Sequence, residues 1–226
     1  MKLPPRGVRR WLLLTILYGV FIYINPFNYT VHLNPIAYGS WIVFIIYWNY
    51  AAWRDFGDKI PEEKDTKVQS RRSKLFQAIG TLICLPFIQV TDGINHLKIL
   101  GLSWFITYYI GAILIVVGLA WAIWARRALG NQWRGHVEAR SDHKLIVEGP
   151  YRITRHPIYT GMFLLAIGCV ISGGASFRGL IALAVFLASY YYKMHLEEDL
   201  LVQQFKQQYI QYRKKVPKVF PGVNLF

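Results

Sequence analysis

"ILGLSWFITYYIGAILIVVGLAWAIWA", Ile99 to Ala125, contains no charged residue from end to end. A bilayer core is crossed by about 20 predominantly apolar residues in a helix, so this stretch alone reads as a membrane segment. Three further runs carry no charge: "WLLLTILYGVFIYI" (Trp11–Ile24), "PIAYGSWIVFIIYWNYAAW" (Pro35–Trp53) and "LFQAIGTLICLPFIQV" (Leu75–Val90). The chain of 226 residues is 54% hydrophobic, a fraction only modestly above that of soluble domains. The fold is decided by the clustering of apolar residues into long runs. No small-residue cleavage site follows the first run, so it reads as an anchor rather than a signal peptide. Two shorter runs, Pro157–Ser172 and Leu180–Tyr192, flank the Gly-rich "SGGASFR" and predict a tight helical hairpin. The expected fold is all-α and polytopic, with about six membrane helices.

A formal charge of +14 could point to nucleic acid, but its distribution points elsewhere. When the loops are assigned alternately to two sides, residues 1–10, 54–74, 125–156 and 193–226 hold 24 of the 26 Lys and Arg. The other side keeps only Lys98 and Arg178. This is the bias of cytoplasmic loops, and anionic lipid accounts for the charge without nucleic acid. Both termini and the basic loops are expected on the cytoplasmic side. Cys84 and Cys169 both lie inside apolar runs without metal-ligand spacing, and read as small buried hydrophobes.

Chemistry concentrates in "GPYRITRHPIYTG", Gly149 to Gly161. Gly149-Pro150 marks a turn. Pro157 suits the first turn of a helix, where a missing N–H costs nothing. Arg155 and His156 therefore sit at a helix N-terminus, a place that favours an anion. Downstream, Glu197 and Glu198 follow Tyr190, Tyr191 and Tyr192 at a membrane boundary. They read either as an exposed helix face, with Lys193 paired to Glu197 one turn away, or as a carboxylate turned into a cavity. Leu201, Phe205, Tyr209, Tyr212 and Val216 then recur at helical spacing, predicting an amphipathic helix that leaves the bilayer and ends at Pro217 and Pro221. No zinc spacing, phosphate loop or serine elbow is present, so a soluble cofactor is expected to carry the chemistry.

From Trp124 onward the chain resembles the isoprenylcysteine carboxyl methyltransferase family of membrane enzymes. The resemblance rests on "LGNQW", "DHKLIVEGPYRITRHPIYTG" and "EEDLLVQQFKQQYIQYRKKVPKVFPG", in that order. It divides the chain into N-terminal membrane helices, 1–123, and a methyltransferase core, 124–226, forming one structural unit. It implies S-adenosyl-L-methionine as cofactor, with S-adenosyl-L-homocysteine as product. It also implies cofactor contacts at His143, Lys144, Leu145, Ile146, Tyr151, His156, Pro157, Ile158, Tyr159 and Glu197. Where the family tends to place an acceptor-facing arginine, this chain has Lys193, which keeps the charge but loses the bidentate fork.

The residue types suit that chemistry. Glu197 can pair with the cofactor's amino group, while Arg155 and His156 can take its carboxylate. Aromatic rings can contact the adenine and the sulfonium. An acceptor carboxylate is already ionised at neutral pH, so alignment and exclusion of water remain as the catalytic work, with Arg155 and Lys193 as the catalytic candidates. The expected reaction is carboxyl O-methylation of a prenylated cysteine or similar acid arriving from lipid. Phospholipid N-methylation, a sterol-type nicotinamide-dependent reductase and a non-catalytic scaffold are the alternatives.

Overall fold

The structure, a computed structural model, describes residues 32–56, 90–91, 104–132 and 145–221. Their regular elements are helices apart from an antiparallel pair of two-residue strands, β1 (His32–Leu33) and β2 (Val90–Thr91), in which His32 faces Thr91. Helix α1 (Pro35–Phe56) starts at Asn34, whose side-chain oxygen accepts from the Ala37 N–H at 3.3 Å. The amide of Asn34 donates to Ser172 Oγ at 2.7 Å and ties this start to the far end of another helix. Helix α2 (Trp104–Leu129) ends with Arg126 and Arg127, cations that suit a helix C-terminus. Arg126 is wholly buried and meets Asp55 of α1 at 2.8 Å.

Helix α3 (Pro157–Ser172) runs antiparallel to α2, and glycines let the two backbones touch. A Cβ on Gly111 would lie 2.5–2.6 Å from Ser172 N, Ser172 Cβ and the Gly168 carbonyl, and one on Gly118 would lie 2.6 Å from the Gly161 carbonyl and Leu165 N. This is the small-residue seam by which membrane helices pack closely. The expected hairpin is present. After α3 the chain turns through Gly174 (φ 86°) and Ala175 (φ 51°), and Ser176 caps helix α4 (Phe177–Phe205) by accepting from Gly179 N–H at 3.1 Å.

The run from the membrane boundary to Val216 is not one helix. It breaks at Lys206 (φ 46°, ψ −122°), and a short helix α5 (Gln207–Lys215) follows. The apolar stripe continues across the break and docks on the protein, with Tyr209 only 1% exposed. A continuous helix would carry Tyr209 and Val216 away from α3, whereas the break turns the chain back to it.

Two of the described helical stretches, Phe105–Leu129 and Phe177–Phe205, are long and apolar enough to cross a membrane. The outer face of α2 leaves Phe105, Ile113 and Val116 more than half exposed, a face suited to lipid. Helix α3, with 16 residues, is shorter. The expected membrane runs at 11–24 and at 75–89 lie outside the described residues. Inside, Trp41 of α1 and Phe163 of α3 both contact Phe186 of α4, which continues through Tyr190 to Tyr159. This aromatic path leads from the core to the head of α3.

Candidate functional site

The head of α3 is built from a turn and a cap. Gly149, at φ 58°, opens a 3₁₀ turn (Gly149–Arg152), and Pro157 occupies the first turn of α3 with His156 as its N-cap. Arg155 and His156 are thereby held at the helix mouth, as the sequence predicts. The chain from Val216 to Val219 crosses this mouth as a strap. Arg155 N–H donates to Pro217 O at 2.9 Å, His156 N–H to Lys218 O at 3.1 Å, and Thr160 Oγ1 to Val219 O at 2.6 Å. Tyr212 Oη donates to Tyr151 O at 2.5 Å, clamping α5 to the preceding turn.

Glu197 and Glu198 leave α4 about 100° apart, and both reach this mouth. Glu198 is 4% exposed. Its Oε1 accepts from Arg155 Nε at 2.8 Å and lies 3.1 Å from His156 Nε2, while Oε2 lies 3.5 Å from Lys218 Nζ. Glu197 keeps 24% of its side chain exposed. It accepts from Tyr159 Oη at 2.5 Å and stands 3.6 Å from His156 Nδ1 and 3.8 Å from Lys193 Nζ. The Lys193 ammonium also lies 5.7 Å from the centroid of the Tyr159 ring.

The imidazole of His156 thus turns one nitrogen toward each carboxylate. A neutral ring has a single N–H and would aim a lone pair at an acceptor, so the geometry calls for imidazolium. Burial disfavours that charge, but the two glutamates outweigh it and raise the His156 pKa above the ordinary imidazole value. Burial likewise raises the Tyr151 hydroxyl well above its usual range, so it stays protonated.

The structure brings Tyr151, Arg155, His156, Pro157, Tyr159, Lys193 and Glu197 to one end of the hairpin. Leu145 and Ile146 are half-buried in the extended lead-in to this turn, and Ile158 packs partly buried against the core. His143 and Lys144 lie outside the described residues. Arg155 is turned inward. Its Nε is committed to Glu198 and its Nη1 to the carbonyls of Arg213 and Val216, at 2.9 and 2.8 Å. The sequence reading assigns a cofactor contact to Glu197 and none to Glu198, places Tyr212 only in the apolar stripe, and gives Lys218 no role. The adjacent glutamates held the signal for Glu198, since neighbours on a helix must face different partners. No local pattern announces that Lys218 returns to the site.

Residues 106–208 match the phospholipid methyltransferase family. Over 123 residues the chain is 28% identical to protein-S-isoprenylcysteine O-methyltransferase B of Arabidopsis thaliana, covering 54% of this chain and 62% of that protein. Over 80 residues it is 38% identical to protein-S-isoprenylcysteine O-methyltransferase of Schizosaccharomyces pombe, covering 35% of this chain and 34% of that one. Among solved structures, the eukaryotic intramembrane Ras methyltransferase, isoprenylcysteine carboxyl methyltransferase, aligns with a TM-score of 0.47 and 19% identity, over 95% of this chain and 74% of that one. The chain therefore spans less than two thirds of the length of either curated relative.

Proposed function

We propose, from the match of residues 106–208 to the phospholipid methyltransferase family and from the geometry of the site, that this chain transfers a methyl group from S-adenosyl-L-methionine to a lipophilic acid in the membrane, with a prenylated cysteine carboxylate as the leading acceptor. One observation carries the reading. At the head of the hairpin a part-exposed carboxylate, Glu197, and a part-exposed ammonium, Lys193, stand one helical turn apart beside the Tyr159 ring. A cationic amino group and an incoming anion can each find a partner there.

The residues present fit the cofactor. Tyr159 and Lys193 leave part of the Glu197 carboxylate open to solvent, and the buried rings of Tyr159 and Tyr151 lie at the same end of the hairpin. When bound, S-adenosyl-L-methionine supplies an electrophilic methyl on a sulfonium and leaves as S-adenosyl-L-homocysteine. Glu197 would hold the amino group, oriented by Tyr159 and His156. Leu145, Ile146, Tyr151, Pro157 and Ile158 would line the pocket, with His143 and Lys144 completing it. Lys193 would hold the acceptor anion. Arg155 contributes by fixing Glu198 and the strap, so that the open pair rests on a rigid base. No general base is required for a carboxylate acceptor.

The 24-to-2 distribution of basic residues supports a multi-pass topology of about six helices with this site on the cytoplasmic side. The motifs from Trp124 onward support residues 124–226 as the catalytic core, packed with the preceding helices as one unit. Incubating the purified chain with S-adenosyl-L-[methyl-³H]methionine and either a farnesylcysteine analogue or phosphatidylethanolamine tests the proposal. Label is expected on the acid. Label on the amine lipid alone would transfer the assignment to phospholipid N-methylation, which the name of the matched family favours. Stabilisation by NADPH and not by S-adenosyl-L-homocysteine would reject methyl transfer.

A further inference from the structure

Lys218 is 1% exposed, yet the main chain beside it needs no help from its side chain. Three strap carbonyls, at Pro217, Lys218 and Val219, already accept from Arg155, His156 and Thr160. Burying an ammonium is costly unless it is paired, so a lysine here calls for an electrostatic reason. Its Nζ lies 3.5 Å from Glu198 Oε2, 3.5 Å from His195 Nδ1 and 4.9 Å from the centroid of the Tyr191 ring. Burial lowers its pKa from the ordinary lysine value, with Glu198 pulling the other way.

We infer that Lys218 is a positioning residue: through Glu198 it sets the charge on His156, and through that ring it holds Glu197 in place. The contacts run in series. Lys218 meets Glu198 Oε2, Glu198 Oε1 meets His156 Nε2, and His156 Nδ1 meets Glu197 Oε2. Two carboxylates on one imidazole would fix its proton very firmly. Lys218 and Arg155 share the inner carboxylate and weaken its hold, so the outer carboxylate is clamped by a ring whose charge remains adjustable. Charged groups face this chain of contacts from every packed element. Helix α4 contributes Glu197, Glu198, Lys193 and His195, and the head of α3 contributes Arg155 and Tyr159. Arg213, Tyr209 and Tyr212 of α5 act on Glu198, Arg155 and Lys218 at longer range. Removing the Lys218 side chain takes away neither a side-chain partner of His156 nor a strap contact, which the Lys218 carbonyl makes.

The test is a ¹⁵N-histidine NMR titration of the full chain in lipid nanodiscs, with the His156 signal identified by its loss in His156→Gln. In the wild type the ring is expected as imidazolium at pH 7; a neutral tautomer there would overturn the inference before any variant is made. In Lys218→Met the His156 midpoint should rise by roughly one pH unit, the size expected for a removed charge one carboxylate away at an effective dielectric of about 20. Lys218→Arg should return it to the wild-type value. An unchanged or lowered midpoint in a Lys218→Met protein with a native-like spectrum would refute the coupling.

The Glu197 end of the inference rests on the methyltransferase reading and has its own readout. The affinity for S-adenosyl-L-homocysteine should fall as pH rises through the His156 midpoint, and in Lys218→Met that fall should move to higher pH by the same amount. Wild-type protein that shows the NMR shifts but takes up no S-adenosyl-L-homocysteine would reject the methyltransferase reading and leave the role of Lys218 toward His156 standing.

Discussion

Gly118 of α2 and Gly161 of α3 meet backbone to backbone: a methyl group built on either would lie 2.6 Å from the other's carbonyl oxygen. Neither backbone can yield without separating the helices that carry the head of α3. Gly161→Ala should therefore destabilise the protein by about 1–3 kcal/mol, the usual cost of overpacking. Gly39→Ala in α1, where nothing lies within 4 Å of the added carbon, should leave stability unchanged or slightly improved. Thermal unfolding midpoints in one detergent check the pair. Equal midpoints would mean the seam is looser than drawn.

The two glutamates should separate into different phenotypes. Glu197→Ala removes the part-exposed carboxylate and should weaken S-adenosyl-L-homocysteine binding by about 2–4 kcal/mol with little change in folding. Glu198→Ala leaves Arg155 and Lys218 buried without their shared anion, so its main effect should be a lowered unfolding midpoint. Calorimetric titration and thermal unfolding, run on both variants, distinguish them. A Glu198→Ala protein of native stability would remove that carboxylate from its central place in the cluster.

Lys193→Met should raise the acceptor KM or lower kcat and leave the affinity for S-adenosyl-L-homocysteine nearly intact, because the lysine is assigned to the acceptor anion. Lys193→Arg should retain most activity, since the guanidinium keeps the charge and adds a second donor. An unchanged kcat/KM in Lys193→Met would place this ammonium at the lipid headgroups instead.

Stability should depend on pH through His156. Its folded pKa is raised above the unfolded value, so the protonated ring contributes stability that is fully present below about pH 6.5. That contribution disappears as pH rises through the folded pKa. Unfolding midpoints should accordingly fall from about pH 6.5 upward, and His156→Gln should flatten this slope. A slope of opposite sign in the wild type would mean the ring is buried neutral.

Much of the architecture was legible in the sequence because lipid leaves so few options. Uncharged runs of the length of Ile99–Ala125 have to be helices, and Pro157 after Arg155-His156 announces a helix start. The seam was not read from the sequence: its glycines stand seven residues apart at 111 and 118 and again at 161 and 168, but that spacing acquires meaning only once the two helices are set antiparallel. The break at Lys206 was not legible. Nothing in "VQQFKQQYI" marks a stop, and the helical stripe runs straight through it. The turn is imposed by tertiary contacts, with Tyr209 buried and the strap fastened, against a backbone conformation that lysine rarely adopts. Lys206→Gly should for that reason raise stability by about 1 kcal/mol, measurable as a higher unfolding midpoint. Lys218 escaped detection for a related cause. Its partners are 62 and 20 residues away, at His156 and Glu198, and no local spacing encodes a return over that distance.

The strap has a consequence for how the protein is made. Translation delivers Arg155, His156 and Thr160 first, then the hairpin, and only afterwards the carbonyls at 213, 216, 217, 218 and 219 that receive their hydrogens. Until those residues leave the ribosome, the guanidinium of Arg155 and the carboxylate of Glu198 lack the surroundings that make their burial tolerable. The cluster at the head of α3 is therefore incomplete while the chain is being inserted, and a chain interrupted after Phe205 would display unfulfilled charges, a ready mark for proteases.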